Sequence, residues 1–350
     1  MPGNKALIYR NIPDGLPVAG KDLIVEQADY DASNAVLPDE GGLLFQNIYG
    51  SLDPYYRLQM VTPEADFVVP PLTLNKPVIG LHIAKVLKSH NNPDYQPGDL
   101  VTGYFPFQEV HVLPNSEIPK VKLYRIENPY GLDIRHYLGI LGHTGLTAFS
   151  SLREICKPKP GETIFVSAAS GAVGQAVGLF AKREGLKVIG SVGSDAKLDY
   201  IINELGFDGG FNYKKEKPGD ALKRLAPEGI DIYYENVGGE HLEAALLAMR
   251  PYGRIAVSGM ISQYNKPYGQ YQPLRNIWEI MPRRLTMTGF VATEPQYQAY
   301  RKEHQETVQR WMKEGSVKEK LWEVQGIDTA IDGFIALFTG ETFGKAVLKY

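Results

Sequence analysis

The sequence predicts an α/β protein: a doubly wound parallel sheet joined to a second, β-rich domain. Three observations predict it. The stretch Thr163 to Gly178, TIFVSAASGAVGQAVG, reads as a buried strand, a small-residue turn and the start of a helix. Downstream, short β-prone runs alternate with helical ones, which implies parallel strands. The chain, at 350 residues, exceeds one typical core, and its first 130 residues differ in texture from its middle.

The elements follow in order. Residues 1–130 are rich in Pro and Gly and hold short β-like segments at Lys5–Arg10, Lys21–Gln27, Val78–Leu87 and Leu100–Tyr104. Turn signals such as Asn92-Pro93 and Pro97-Gly98-Asp99 separate them. A helical pattern over Pro129–Arg153 bridges to the parallel sheet. Its first strand is Thr163–Ser167, followed by the turn Ala168-Ala169-Ser170-Gly171 and a helix over Ala172–Glu184. A strand, a tight turn and a helix N-terminus let the backbone approach a pyrophosphate, which meets free N–H groups and a partial positive charge. The glycine spacing is A-x-G-x-x-G through Ala169, Gly171 and Gly174, without the usual first glycine.

Leu186–Ser191 reads as the second strand. An NAD site would place an acid about 20 residues past the glycines, on the ribose hydroxyl. Here Ser191-Val192-Gly193-Ser194 carries none before Asp195, and Lys197 opens the next helix. The missing acid and the nearby lysine favour a 2′-phosphate, hence NADPH over NADH. Further strands follow at Gly206–Tyr213, Ile230–Tyr234, Arg254–Ser258 and Leu285–Phe290, with a helix at His241–Met249. Ligands of such sheets sit at the carboxyl ends of the strands, where Ser167, Ser191, Tyr213, Asn236 and Gly259 fall. A long helix is expected over Glu294–Glu314, and residues 321–350 return to short strands and one helix, completing the first domain.

The hydrophobic share of 43% and charged share of 22% are those of an ordinary soluble protein, and a net charge of −3 argues against an electrostatic nucleic-acid binder. No apolar run approaches a membrane span, and MPGNKALIYR lacks a signal-peptide core. A single cysteine, Cys156, excludes a disulfide framework and a multi-cysteine zinc site. A cytoplasmic, metal-free protein is the expectation.

Longer motifs then become legible. Pro97-Gly98-Asp99-Leu100-Val101 with Gly103 resembles the PGDxVxG segment of medium-chain dehydrogenases/reductases, and Gly142–Phe149 their GxxGLTAY helix. AASGAVG, Gly193–Lys197 (GSDxK), Phe211–Lys214 (FNYK), ENVGG and Tyr252–Asn265 together resemble one zinc-independent branch, the alkenal double-bond reductases. The resemblance runs from Asp53-Pro54-Tyr55 and Arg57 to Gly344-Lys345. It implies a GroES-like substrate domain (1–130), a Rossmann dinucleotide-binding domain (131–315) and a return to the first (316–350). It implies NADPH-dependent reduction of the C=C bond of α,β-unsaturated aldehydes or ketones, by a homodimer. By the same resemblance Gly171, Ala172 and Val173 approach the pyrophosphate, and Gly193 joins the cofactor contacts. Lys197 and Tyr213 contact the 2′-phosphate, Asn236 the cofactor after the fourth strand, and Tyr264 lies near the nicotinamide and the substrate carbonyl. Tyr55 lines the substrate pocket, with Tyr56 beside it where relatives carry methionine; His143 also stands where relatives carry an apolar residue.

The chemistry needs little else. The cofactor carries the hydride to the β-carbon, and a hydroxyl donor steadies the developing enolate. Tyr264 is the candidate donor. Two alternatives stand beside this reading: a zinc-independent quinone reductase, distinguished by turnover of quinones but not enones, and a non-catalytic NADPH-binding protein, distinguished by cofactor binding without turnover.

Overall fold

The computed structural model describes residues 3–62, 69–267 and 269–350. The chain divides into two compact units: Met1–Leu138 with Leu321–Thr342 and Ala346–Tyr350, and Gly139–Lys320 with Phe343–Lys345. No helix among the described residues is long and apolar enough to cross a membrane.

The second unit carries the parallel sheet. Its strands are Thr163–Val166, Lys187–Val192, Gly209–Asn212, Ile230–Glu235, Met249–Val257 and Thr286–Gly289. In space they run third, second, first, fourth, fifth, sixth. The first strand pairs on one side with the second (Val166 opposite Gly190) and on the other with the fourth (Val166 opposite Tyr234). The winding reverses between first and fourth strands, so the cleft opens at their carboxyl ends. These strands are buried on both faces, hence the continuous apolar runs TIFV and VIGSV. Phe165 stacks on Tyr233 at 5.0 Å and on Phe211 at 5.9 Å, one layer of the core across three strands.

Three expected elements differ. The helix over Glu294–Glu314 is two, Pro295–Gln298 and Arg301–Lys313, with the second capped by Tyr300. The pattern over Pro129–Arg153 resolves into a 3₁₀ turn at Ile134–Leu138, a helix at His143–Ser151 and a π turn at Leu152–Cys156. Glycines 139 and 142 interrupt the backbone between them. The fifth strand begins earlier than expected, at Met249, and Tyr252 within it adopts φ 64.

The first unit holds a seven-stranded sheet and a three-stranded one. The hub of the larger is Gly42–Ser51, which pairs antiparallel with Ile79–His90, Val110–Pro114 and Lys345–Lys349. The sequence did not mark this strand. Asn47 interrupts its apolar pattern, yet it is buried and spends its amide on the carbonyls of Pro106 (2.9 Å) and Gln108 (2.7 Å).

Candidate active site

The glycine turn is built by close approach. Ala168 takes the left-handed conformation, φ 49, so the unusual backbone falls one residue before the position where a glycine would be expected. The Ala169 N–H donates to the Ser191 carbonyl and the Gly171 N–H to the Ala168 carbonyl, both at 2.9 Å. A Cβ on Gly174 would collide with the Ala168 carbonyl and lie 2.8 Å from the Ala169 Cα; on Gly171 it would stand 3.2 Å from that carbonyl. Gly174 is therefore the glycine that packing demands. Gly171 caps the helix Ala172–Arg183, and Ala172 and Val173 form its half-exposed first turn. Helix N–H groups there lack intrahelical acceptors and favour an anion.

At the end of the second strand Ser191 is fully buried with an unpartnered hydroxyl. Gly193 lies against the Tyr213 phenol: a Cβ would sit 3.0 Å from its oxygen. Tyr213 leans edge-on against His241, centroids 5.3 Å apart. Ser194 caps the next helix, accepting from the Lys197 N–H at 3.3 Å. Asp195, the first acid past the strand, accepts from Asn212 Nδ2 at 2.9 Å and pairs with Lys215. It is thus committed to the end of the third strand. Lys197 is buried; burial, and then the Lys214 charge, hold its ammonium below the usual lysine range. A buried cation beside another cation is stabilised by an anion.

The fourth strand ends in a polar knot that the sequence named only as a motif. Glu235 is fully buried, and its Oε1 accepts from the N–H groups of Val237 (2.6 Å) and Gly238 (2.7 Å). Its Oε2 is buried without a partner. Burial, opposed by those two N–H groups and by the Tyr233 and Ser167 hydroxyls, pushes its pKa up to about 7. Asn236 donates through its backbone to Ser167 Oγ (2.9 Å) and through Nδ2 to the Ser167 carbonyl (2.7 Å), tying the fourth strand to the first at the winding reversal. From this knot hangs the segment that bears Tyr264. Ile261 N–H donates to the Asn236 carbonyl, and Ser262 N–H to that of Val237. Tyr264 is half-buried, and a Cβ on Gly259 would lie 2.8 Å from its hydroxyl. Burial raises the phenol's pKa, against the Met260 N–H and with the Glu235 charge, so it stays protonated at neutral pH.

Gly171, Ala172, Val173, Gly193, Lys197, Tyr213, Asn236 and Tyr264 thus lie along the carboxyl edge of one sheet. Its shape and charge fit an anionic dinucleotide: a cradle where a Cβ is excluded, an orphaned buried hydroxyl, and paired lysines. Tyr55 and Tyr56 belong to the other unit. Tyr56 corrects the sequence reading. It is 1% exposed, its hydroxyl donates to the Ser51 carbonyl at 2.9 Å, and its ring packs edge-on against Phe107, so it is a core residue with no surface for a ligand. Tyr55 is partly exposed and stacks edge-on against it at 4.6 Å.

Comparison with known proteins gives the setting. A domain family described as zinc-binding dehydrogenase matches residues 172–310, and one described as the N-terminal domain of oxidoreductase matches residues 7–121. Among the described residues no three His, Cys, Asp or Glu side chains gather to hold a metal, and Cys156 is buried with its thiol pushed up to about 12 by burial. An NADP-dependent oxidoreductase of Cochliobolus heterostrophus is 50% identical over 99% of this chain and 97% of its own. An NADP(+)-dependent 2-alkenal reductase of Nicotiana tabacum is 40% identical over 99% and 97%. The crystal structure of CurA from Vibrio vulnificus in complex with NADPH superposes with a TM-score of 0.89, at 29% identity, over 99% of this chain and 98% of that one. The two domain families and the relatives matched along nearly the whole chain together show that it belongs to the medium-chain dehydrogenases/reductases, in their zinc-independent alkenal double-bond reductase branch.

Proposed function

We propose that this enzyme is an NADPH-dependent reductase of the C=C bond of α,β-unsaturated aldehydes and ketones, working in the cytosol as a homodimer. The observation that carries the reading is the Tyr264 phenol, kept protonated beside the winding reversal of a sheet whose edge fits a phosphorylated dinucleotide. The named activity of the tobacco relative supports it. In this reading Gly171, Ala172 and Val173 take the pyrophosphate, Gly193, Lys197 and Tyr213 the 2′-phosphate end, and Asn236 the nicotinamide half. When bound, NADPH supplies the hydride. Tyr264 donates a hydrogen bond to the substrate carbonyl oxygen, where charge grows as the enolate forms, and keeps its proton, so it stabilises the transition state more than the ground state. Glu235, its pKa raised by burial to about 7, sets less charge against that oxygen than an ordinary carboxylate would. The α-carbon of the enolate then takes a proton from water, which leaves as hydroxide to solvent. The first unit supplies the substrate-binding domain, with Tyr55 as an aromatic wall.

A panel of enals, enones and quinones, with NADPH oxidation followed by absorbance, tests the proposal. Enals and enones are expected to turn over well above quinones. Quinone turnover without enone turnover would assign the chain to quinone reduction instead, and NADPH binding without turnover of any would make it a non-catalytic binder.

A further inference from the structure

A third lysine and a phenylalanine stand at the phosphate edge of the dinucleotide unit, and no motif pointed to either. Lys320 Nζ lies 4.4 Å from the ring centre of Phe343 and 5.2 Å from that of Tyr200. Lys197 Nζ lies over the same Phe343 ring at 6.0 Å. Two ammonium groups therefore lie within 6.0 Å of the centre of one ring, with Lys214 close enough to act on Lys197. Tyr200 has the carboxylates of Glu204 and Glu319 in its field, yet neither forms an ion pair with Lys320 among the described residues.

The backbone around Lys320 is fixed rather than loose. Its N–H donates to Gln175 Oε1 at 3.0 Å, and its carbonyl accepts from Gln175 Nε2 at 3.2 Å and from the Lys345 N–H at 2.9 Å. Gln175 lies one turn into the glycine-turn helix, and its Oε1 also accepts from the Tyr200 hydroxyl at 2.8 Å. The segment Phe343–Lys345 joins the same frame: Gly344 pairs with Gly171 as an isolated parallel bridge, and its φ of 93 and the nearness of the Lys320 carbonyl exclude a side chain there. Phe343 thus stands one residue from the partner of the glycine turn, with Lys197 on its far reach. Its ring thus has Lys197 and Lys320 within 6.0 Å of its centre, and its chain neighbour Gly344 bridges to Gly171 of the glycine turn.

We infer that Lys320, steadied on the Phe343 and Tyr200 rings, is a second cation for the 2′-phosphate and so a specificity-determining residue for NADPH over NADH. This rests on the assignment of Lys197 to the same phosphate. Cation–aromatic contact orients an ammonium without neutralising it, so the charge remains available to an anion, unlike a lysine spent on a carboxylate.

The test measures dissociation constants of NADPH, NADH and 2′,5′-ADP for wild type, Lys320→Met, Lys320→Arg and Lys197→Met. Lys320→Met is expected to weaken NADPH and 2′,5′-ADP about tenfold and leave NADH within about twofold, with Lys320→Arg restoring most of the loss. Equal weakening of NADPH and NADH would place Lys320 on the pyrophosphate or in the fold and overturn the inference, as would no change for either. If Lys197→Met is selective for the 2′-phosphate while Lys320→Met is not, the inference falls and the cofactor assignment stands. If neither variant is selective, the cofactor assignment itself falls. Should Lys320→Met not fold, Lys320→Gln, which keeps a polar chain of similar reach, carries the same readings.

Discussion

The Glu235 carboxyl has two backbone N–H donors on one oxygen, nothing on the other, and no ion pair among the described residues. A buried carboxyl so placed resists ionisation. Its pKa of about 7 in the folded chain lies above the ordinary value of 4.5, so the unfolded chain releases the proton first as pH rises. The contribution to stability is complete below about pH 4.5 and is lost as pH climbs through 7. Glu235→Gln keeps an oxygen for both N–H groups and removes the titration. Relative to wild type, the variant is expected to gain roughly 2–3 kcal/mol between pH 5 and pH 8. Denaturant midpoints at the two pH values check this; a constant difference would show that Glu235 ionises normally. Tyr264→Phe makes a separate prediction, in kinetics. Losing one donor to the enolate oxygen should lower kcat on an enone about 10–1000-fold and leave NADPH affinity almost unchanged. A wild-type kcat with raised KM would make the residue a substrate-positioning group. The sequence singled out Tyr264 through its motif and Lys197 through the missing acid nearby, and both side chains stand at the carboxyl edge of the parallel sheet. It could not reveal Glu235 as a buried carboxyl of raised pKa, because burial without a counter-charge is a property of three strands at once. Nor could it separate Tyr55 from Tyr56, adjacent tyrosines of which packing buries one.

Among elements, the strand–turn–helix at residues 163–183 was the most legible, because its constraints are local. Strand length, β-branched content and glycine spacing all lie within about five turns of chain. Even here the spacing alone did not say which glycine matters most. The structure assigns that to Gly174, whose missing Cβ lets the helix start against the Ala168 carbonyl. Gly174→Ala is expected to push the helix start away from the turn, cost about 1–3 kcal/mol in unfolding free energy and weaken NADPH at least tenfold. Gly171→Ala, where the contact is 3.2 Å rather than a collision, should be the milder variant in both measurements. Calorimetry and cofactor titration on the pair decide it; equal effects would contradict the packing argument. The Gly42–Ser51 strand escaped the sequence for the opposite reason. Its partners are far along the chain, and a buried Asn47 satisfied only by distant carbonyls disguises the period.

For the whole molecule, the parallel sheet ends in the short edge strand Thr286–Gly289. Just before it, Trp278 is 69% and Met281 62% exposed. An open edge beside large apolar side chains calls for a cover, and a second copy supplies one through an isologous contact. Light scattering at micromolar concentration is expected to give a dimer, and Trp278→Glu with Met281→Glu to give monomers. A monomeric wild type would sink this. The doubly wound sheet and the β-rich unit were legible from rhythm and composition, since both report on many residues at once.

The return of Phe343–Lys345 to the dinucleotide unit bears on how far this fold is modular. A cassette can be lifted from a gene as one uninterrupted stretch and keep its ligand. This unit is not one such stretch: a segment cut at Lys320 would keep all six strands of the parallel sheet yet lack the partner of Gly171 and the ring beside Lys320. Recombination that exchanges the interior of the chain between relatives must therefore carry the distant Phe343–Lys345 triplet with it, or else pair a glycine turn with a stranger's segment.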